Sequence, residues 1–139
     1  MELLLSIEPN QQSIHFIDQT ITLFAEIYEI PNKRELCFVV HELVINAVEA
    51  MQKIQFTDGN EIEIHVIKEA DVLKVTVTDR AMGIPEEKWY EILEADFTTL
   101  DYSERGRGFL FIKHMVDELW FENLSHNRFL VGVKKIING

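Results

Sequence analysis

The apolar residues of this chain change their spacing near its middle, and that change constrains the fold more than any single residue does. Ile14, Ile17, Ile21, Phe24 and Tyr28 recur at steps of three and four, which marks one face of a helix. After Pro31-Asn32 the same rhythm returns in Leu36, Val40, Leu43, Ala47 and Ala50 or Met51. Asn32 is expected to cap this second helix, with Glu35 three residues on completing a capping box. The helix should end near Gln55, ahead of the turn signal Asp58-Gly59-Asn60. From there the period is two: Ile62, Ile64 and Val66 alternate with Glu61, Glu63 and His65. Past Glu69-Ala70-Asp71, Leu73, Val75 and Val77 share a face, and the next position on that face is Asp79.

The rest of the chain follows the same two rhythms. Glu2 to Ile7 reads as a short edge strand closed by Pro9-Asn10. Pro85 and the adjacent Glu pair suit a short helix with Trp89, Ile92 and Leu93 inward, and Phe97 to Arg105 reads as loop. A helix through Phe109, Ile112, Met115, Val116 and Leu119 follows Gly106-Arg107-Gly108. Trp120 to Leu124, the turn Ser125-His126-Asn127, and Phe129 to Ile137 form a final hairpin. The order is β-α-α-β-β-(short α)-α-β-β, without repeat or linker, so residues 1–139 are expected to be a single domain. Strands joined by hairpins with grouped helices predict an α+β two-layer sandwich, helices on one face of a mostly antiparallel mixed sheet.

Composition narrows the function classes. The chain has 139 residues and a formal net charge of −11, which opposes the basic patch that nucleic acid needs. One cysteine, Cys37, allows neither a disulfide framework nor a multi-cysteine zinc site. No run approaches a membrane span, and the start Met1-Glu2-Leu3-Leu4-Leu5 lacks the basic region of a signal peptide. The expected location is the cytoplasm. An acidic chain that binds an anion must do so with backbone N–H groups, a helix N-terminus or a bound cation.

Three segments carry chemistry. Glu42 and Asn46 stand one turn apart on the same face of the second helix. They are either a solvated stripe or a general base beside an oxygen ligand for Mg²⁺. Asp79, pointing inward at a strand end, needs hydrogen-bond donors, which an adenine amine or the following turn can supply. Gly106-Arg107-Gly108 before a helix suits either an ordinary turn or close approach to phosphates.

Taken together, E-x-x-x-N on a helix, D-x-x-x-G after a strand and G-x-G at a helix start resemble the GHKL (Bergerat-fold) ATPases, and the likeness spans essentially the whole chain. That superfamily includes gyrase, MutL, histidine-kinase catalytic domains and anti-sigma-factor serine kinases. The resemblance implies ATP and Mg²⁺ as cofactors, with Glu42 as base and Asn46 as metal ligand. It implies adenine contact at Asp79 with Gly83 as the second glycine of that box, and phosphate contact at Gly106 and Gly108. Phe97-Thr98-Thr99 resembles the lid segment, bringing Thr98 to the nucleotide. Arg105 and Arg107 either meet the β- or γ-phosphate or remain solvated lid charges. The chain departs from the family at Ala81, where the adenine box ordinarily has its first glycine.

With no dimerisation helix before this region and no transducer domain after it, the chain most resembles the small bacterial anti-sigma-factor or switch serine kinases. Those proteins phosphorylate a Ser or Thr on a small antagonist and often bind a sigma factor as dimers. The implied partners are therefore ATP/ADP, a small regulatory protein, a sigma factor and a second copy, with no nucleic acid or membrane. The alternatives are a non-catalytic nucleotide-binding or sequestering module and a stand-alone histidine-kinase-type catalytic domain, which Asn46-Ala47-Val48-Glu49-Ala50-Met51 also resembles. His41, Cys37, Trp89, Trp120 and His114 read as packing or surface residues.

Overall fold

The computed structural model describes residues 1–54, 61–81, 83–94 and 104–137, and of 104–107 the backbone alone. The expected turn at Asp58-Gly59-Asn60 and the segment Phe97-Thr98-Thr99 lie outside these residues. The elements run β1 (Glu2–Ile7), α1 (Gln11–Ile27), α2 (Lys33–Lys53), β2 (Ile62–Glu69), β3 (Val72–Asp79), α3 (Trp89–Glu94), α4 (Glu104–Met115), β4 (Glu118–Leu124) and β5 (Arg128–Ile136). A 3₁₀ turn, Glu86–Lys88, leads into α3. The five strands form one sheet in the order β1-β2-β3-β5-β4. Every pairing among the described residues is antiparallel, in keeping with the mostly antiparallel sheet expected.

The two periodicities explain the layers. Ile62, Ile64, Val66, Leu73, Val75 and Val77 are buried against Ile17, Ile21, Phe24, Val40, Leu43, Ala47 and Met51 of the helices. Each fully buried aliphatic side chain contributes roughly 1.5–3 kcal/mol, so this single face supplies the main drive for folding. The register fixes the far end of the site: Asp79 pairs with Phe129 where β3 meets β5.

Two helix starts differ from expectation. Asn32 has φ 55° and makes no side-chain cap bond, because a left-handed backbone turns its carboxamide away from the α2 amides. Its carbonyl instead accepts from Glu35 and Leu36 N–H, and the Glu35 carboxylate lies 3.7 Å from Lys135 Nζ. Asn10, which sequence reading used only to end β1, is the true cap of α1: its Oδ1 accepts from Ser13 N–H at 2.9 Å. A third difference concerns the glycines. Helix α4 begins at Glu104, so Gly106-Arg107-Gly108 lies in its first turns and not ahead of it.

Helix α1 also carries a second apolar line that periodicity alone does not report. Phe16, Leu23 and Ile27 are exposed on it. On helical spacing they share one flank, and that flank is turned away from Asp18 and Thr22, the residues that meet α2.

Candidate functional site

The site is built around the middle of α2. Leu43 and Ala47 are buried in the core, which leaves Glu42 and Asn46, one turn apart, half-buried on an adjoining face. That face meets the start of α4. A Cβ added to Gly108 would lie 3.5 Å from Glu42 Oε2 and 3.9 Å from Asn46 Nδ2. The absence of a side chain at Gly108 therefore leaves a space one methyl group wide beside a carboxylate and a carboxamide. Glu42 and Asn46 face Gly108 there, although 62 or more positions separate them from it in sequence.

Asn46 carries the most informative atom. Its Nδ2 is buried and has no hydrogen-bond partner among the described residues. An orphaned buried amide group costs about 1–3 kcal/mol, and such a cost is unusual in the middle of a helix with no counterpart. The two ends of a carboxamide are interchangeable by a χ2 flip, so the same position offers either a donor or an oxygen ligand. A hard, oxygen-seeking cation would suit this donor set, the Asn46 carboxamide beside the Glu42 carboxylate.

Asp79 stands at the end of β3. It is 4% exposed, and one of its oxygens, Oδ1, accepts the N–H of Ala81 at 2.9 Å. The turn-capping role is thus present, and it orients the carboxylate at the end of β3. Arg80 N–H donates to Met51 Sδ at 3.3 Å, which holds this turn against α2 one and a half turns beyond Asn46. Gly83 has φ +71°, and a Cβ there would fall 2.4 Å from the Phe129 ring. Only glycine fits at that point. Ala81, by contrast, is absent from the residues with positive φ and is buried in the core at 4% exposure. Its methyl group is accommodated, so the departure at that position carries no backbone strain.

Phe129 belongs to an aromatic cluster that the sequence reading did not assign to the site. Its ring stacks on Phe121 at 5.9 Å, Trp89 lies 6.2 Å away, and Phe121 meets Phe109 of α4 edge-on at 5.2 Å. Trp89 Nε1 also donates to the Ile84 carbonyl at 2.8 Å, tying the Asp79–Ile84 turn to α3. The cluster connects the Asp79 turn to α4. The signal for it was the inward phase of Phe121 and Phe129 in their strands.

Of the expected site residues, Glu42, Asn46 and Gly108 converge directly, whereas Asp79 stands at the end of β3 beside Glu61, Glu63 and Arg128 and Gly83 lies against Phe129. Gly106 lies on the first turns of α4, with Arg105 and Arg107 on the same backbone. The side chains of those two arginines, and Thr98, lie outside the described residues. His41 takes no part: its Nδ1 is 2.8 Å from Asp18 Oδ1, joining α2 to α1. Cys37 contacts Thr22 at 3.7 Å as a helix-packing residue.

The comparisons agree with this fold. The family described as histidine kinase-, DNA gyrase B-, and HSP90-like ATPase matches residues 32–134, well over half of the chain. The chain belongs to that family. Among solved structures, the catalytic domain of histidine kinase ThkA in a nucleotide-free form is similar, with TM-score 0.62, 15% identity and 99% of each chain covered. Another nucleotide-free form of the same domain gives TM-score 0.59 and 16% identity, covering 97% of this chain and 96% of that one. The mycobacterial sensor histidine kinase MprB gives TM-score 0.57 at 14% identity, covering 77% and 75%. A search of curated proteins finds no match. No helix among the described residues is long and apolar enough to cross a membrane.

Proposed function

We propose that this chain is an ATP-dependent protein kinase that transfers the γ-phosphoryl group to a Ser or Thr hydroxyl of a small regulatory protein. The carrying observation is the space at Gly108, walled by Glu42 and by the unpartnered buried amide of Asn46. In this reading the triphosphate enters at the first turns of α4, where orphan backbone N–H groups and the helix dipole favour anions. Asn46 would hold Mg²⁺, which supplies charge neutralisation between the phosphates. Asp79 accepts from the adenine amine, and Gly83 keeps the backbone close to the base. Arg105, Arg107 and Thr98 are assigned to the phosphate end.

Glu42 takes the proton of the attacking hydroxyl as its oxygen bonds to the γ-phosphorus and the bond to the β-phosphate oxygen breaks. ADP leaves, and Glu42 returns the proton to water. Positioning and electrostatics provide most of such a rate enhancement.

The histidine-kinase-type reading has its own support in the full-length likeness to ThkA. Against it stands Glu42. An imidazole acceptor brings its own lone pair and needs no base, whereas a hydroxyl does.

The test is transfer of labelled phosphate from Mg-ATP to partner proteins, comparing wild type with Glu42→Ala and checking the product in acid. Acid-stable phosphate on the partner, lost in Glu42→Ala, supports the Ser/Thr reading. Acid-labile phosphate points to histidine transfer. Nucleotide binding without any transfer points to a sequestering module.

The same proposal includes a second copy and a sigma-type partner. The exposed Phe16, Leu23 and Ile27 line on α1 is an apolar surface suited to such contact, and β1 offers an open sheet edge. In a chain of net charge −11, two acids of these elements are paired: Glu2 with His65 and Glu26 with Lys33. Sedimentation of wild type against Leu23→Glu reads this directly.

A further inference from the structure

Helix α4 has two ends with different attachments. At its first turns Gly108 faces Glu42 and Asn46. At its last residue the chain is stapled to β5. Lys135 Nζ donates to the Met115 carbonyl at 2.7 Å, Asp117 N–H to the Lys134 carbonyl at 2.8 Å, and Ile136 N–H to Asp117 Oδ2 at 2.7 Å.

Of these links only Lys135 reaches a third element. Its position in β5 is in phase with Val131 and Val133, on the helix-facing side of the sheet. Its ammonium lies 3.7 Å from Glu35 Oε2 in the first turn of α2. One cation thus meets the negative end of the α4 dipole and an acid at the positive end of α2, the favourable pole for each. It does so at the mouth of a narrow apolar crevice lined by Leu36, Val39, Leu73, Met115 and Val133. The crevice holds only about 20 Å³, close to the minimum for one water. It is too small for a ligand and marks a closely fitted joint.

We propose that Lys135 is a positioning residue: by clasping the C-terminus of α4 to the N-terminus of α2, it sets the spacing at which Gly108 faces Glu42 and Asn46. Both helices run from the clasp to the site. Seven residues separate Met115 from Gly108, and seven separate Glu35 from Glu42, roughly 10 Å along each axis. A change of angle at the clasp therefore displaces Gly108 relative to Glu42 over a lever of that length. Nucleotide held at the Gly108 end and the clasp at the Met115 end act on the same helix pair, and a clasp that holds the site at its binding spacing is strengthened by nucleotide to the same extent that it strengthens nucleotide binding.

This inference rests on the nucleotide reading for its consequence but not for its geometry, and the experiment separates the two. Lys135→Met keeps the aliphatic stem that fills the crevice mouth and removes the charge; Lys135→Arg restores the charge. In nucleotide-free protein, Lys135→Met should speed amide hydrogen exchange across residues 109–115 by roughly five- to tenfold while α1 exchanges as in wild type, and should weaken Mg-ATP by a similar factor. Lys135→Arg should recover most of both. Unchanged exchange in α4, or equal loosening of α1, overturns the clasp. Normal exchange in Lys135→Arg with nucleotide affinity still at the Lys135→Met level overturns the positioning of the site by the clasp. If wild type binds no nucleotide, exchange alone still decides the clasp, and it is the kinase reading that fails.

Discussion

Gly108 of α4 leaves room for one methyl group against Glu42 Oε2 of α2, at 3.5 Å from an added Cβ. That distance is ordinary van der Waals contact, so among the described residues nothing clashes with a side chain at this position. A glycine inside a helix costs about 0.5–1 kcal/mol relative to alanine. The cost is explained if something else occupies the space.

Gly108→Ala should therefore separate stability from binding. The variant gains about 0.5–1 kcal/mol in thermal unfolding and loses Mg-ATP affinity by at least about tenfold. A melt and a calorimetric titration of the same sample check both. Gain of stability with undiminished binding would contradict the site.

Asn46→Ala removes the buried amide that lacks a partner. Relief of that unmet group offsets the lost packing, so stability should change by less than about 1 kcal/mol. The Mg²⁺-dependent part of ATP binding should disappear, leaving the same affinity with and without chelator. A large destabilisation would mean that the amide is a structural hydrogen-bonder after all.

Gly83→Ala meets both a left-handed φ of +71° and the Phe129 ring at 2.4 Å. Backbone strain and overpacking together should cost about 2–4 kcal/mol, read as a fall in the denaturation midpoint. The loss is in stability first, because the clash lies in the aromatic cluster.

Ala81→Gly recreates the glycine that the related adenine boxes have. Ala81 is buried and its backbone is unstrained, so the change should lower stability by about 1–2 kcal/mol through a lost methyl and added chain entropy. ATP affinity should stay within about twofold. A marked rise in affinity would show that the methyl narrows the adenine pocket.

Much of this was legible from spacing alone. The shift from a period of three-and-four to a period of two marked α1, α2, β2 and β3, and it aimed Asp79 inward, as found at 4% exposure. Pairing Glu42 with Asn46 needed only the helical repeat. What spacing does not carry is backbone conformation and non-local contact. Asn32 has a capping residue type, yet its left-handed φ of 55° defeats the cap, and no sequence rule announces that. The glycines read as the lead-in to a helix because glycine is a poor helix former, whereas α4 includes them in its first turns. The meeting of Gly108 with Asn46, and of Lys135 with Met115, depends on how two elements far apart in the chain come to lie side by side.

The central claim is that this acidic protein holds ATP through local geometry despite its net charge of −11. Isothermal titration of the wild-type chain with ATP and ADP, in Mg²⁺ and in chelator, tests it most directly. Saturable one-to-one binding that Mg²⁺ strengthens, and that Asp79→Asn weakens, is the expected result. Absence of binding by either nucleotide in Mg²⁺ would contradict the account and leave the fold as a scaffold for partners alone.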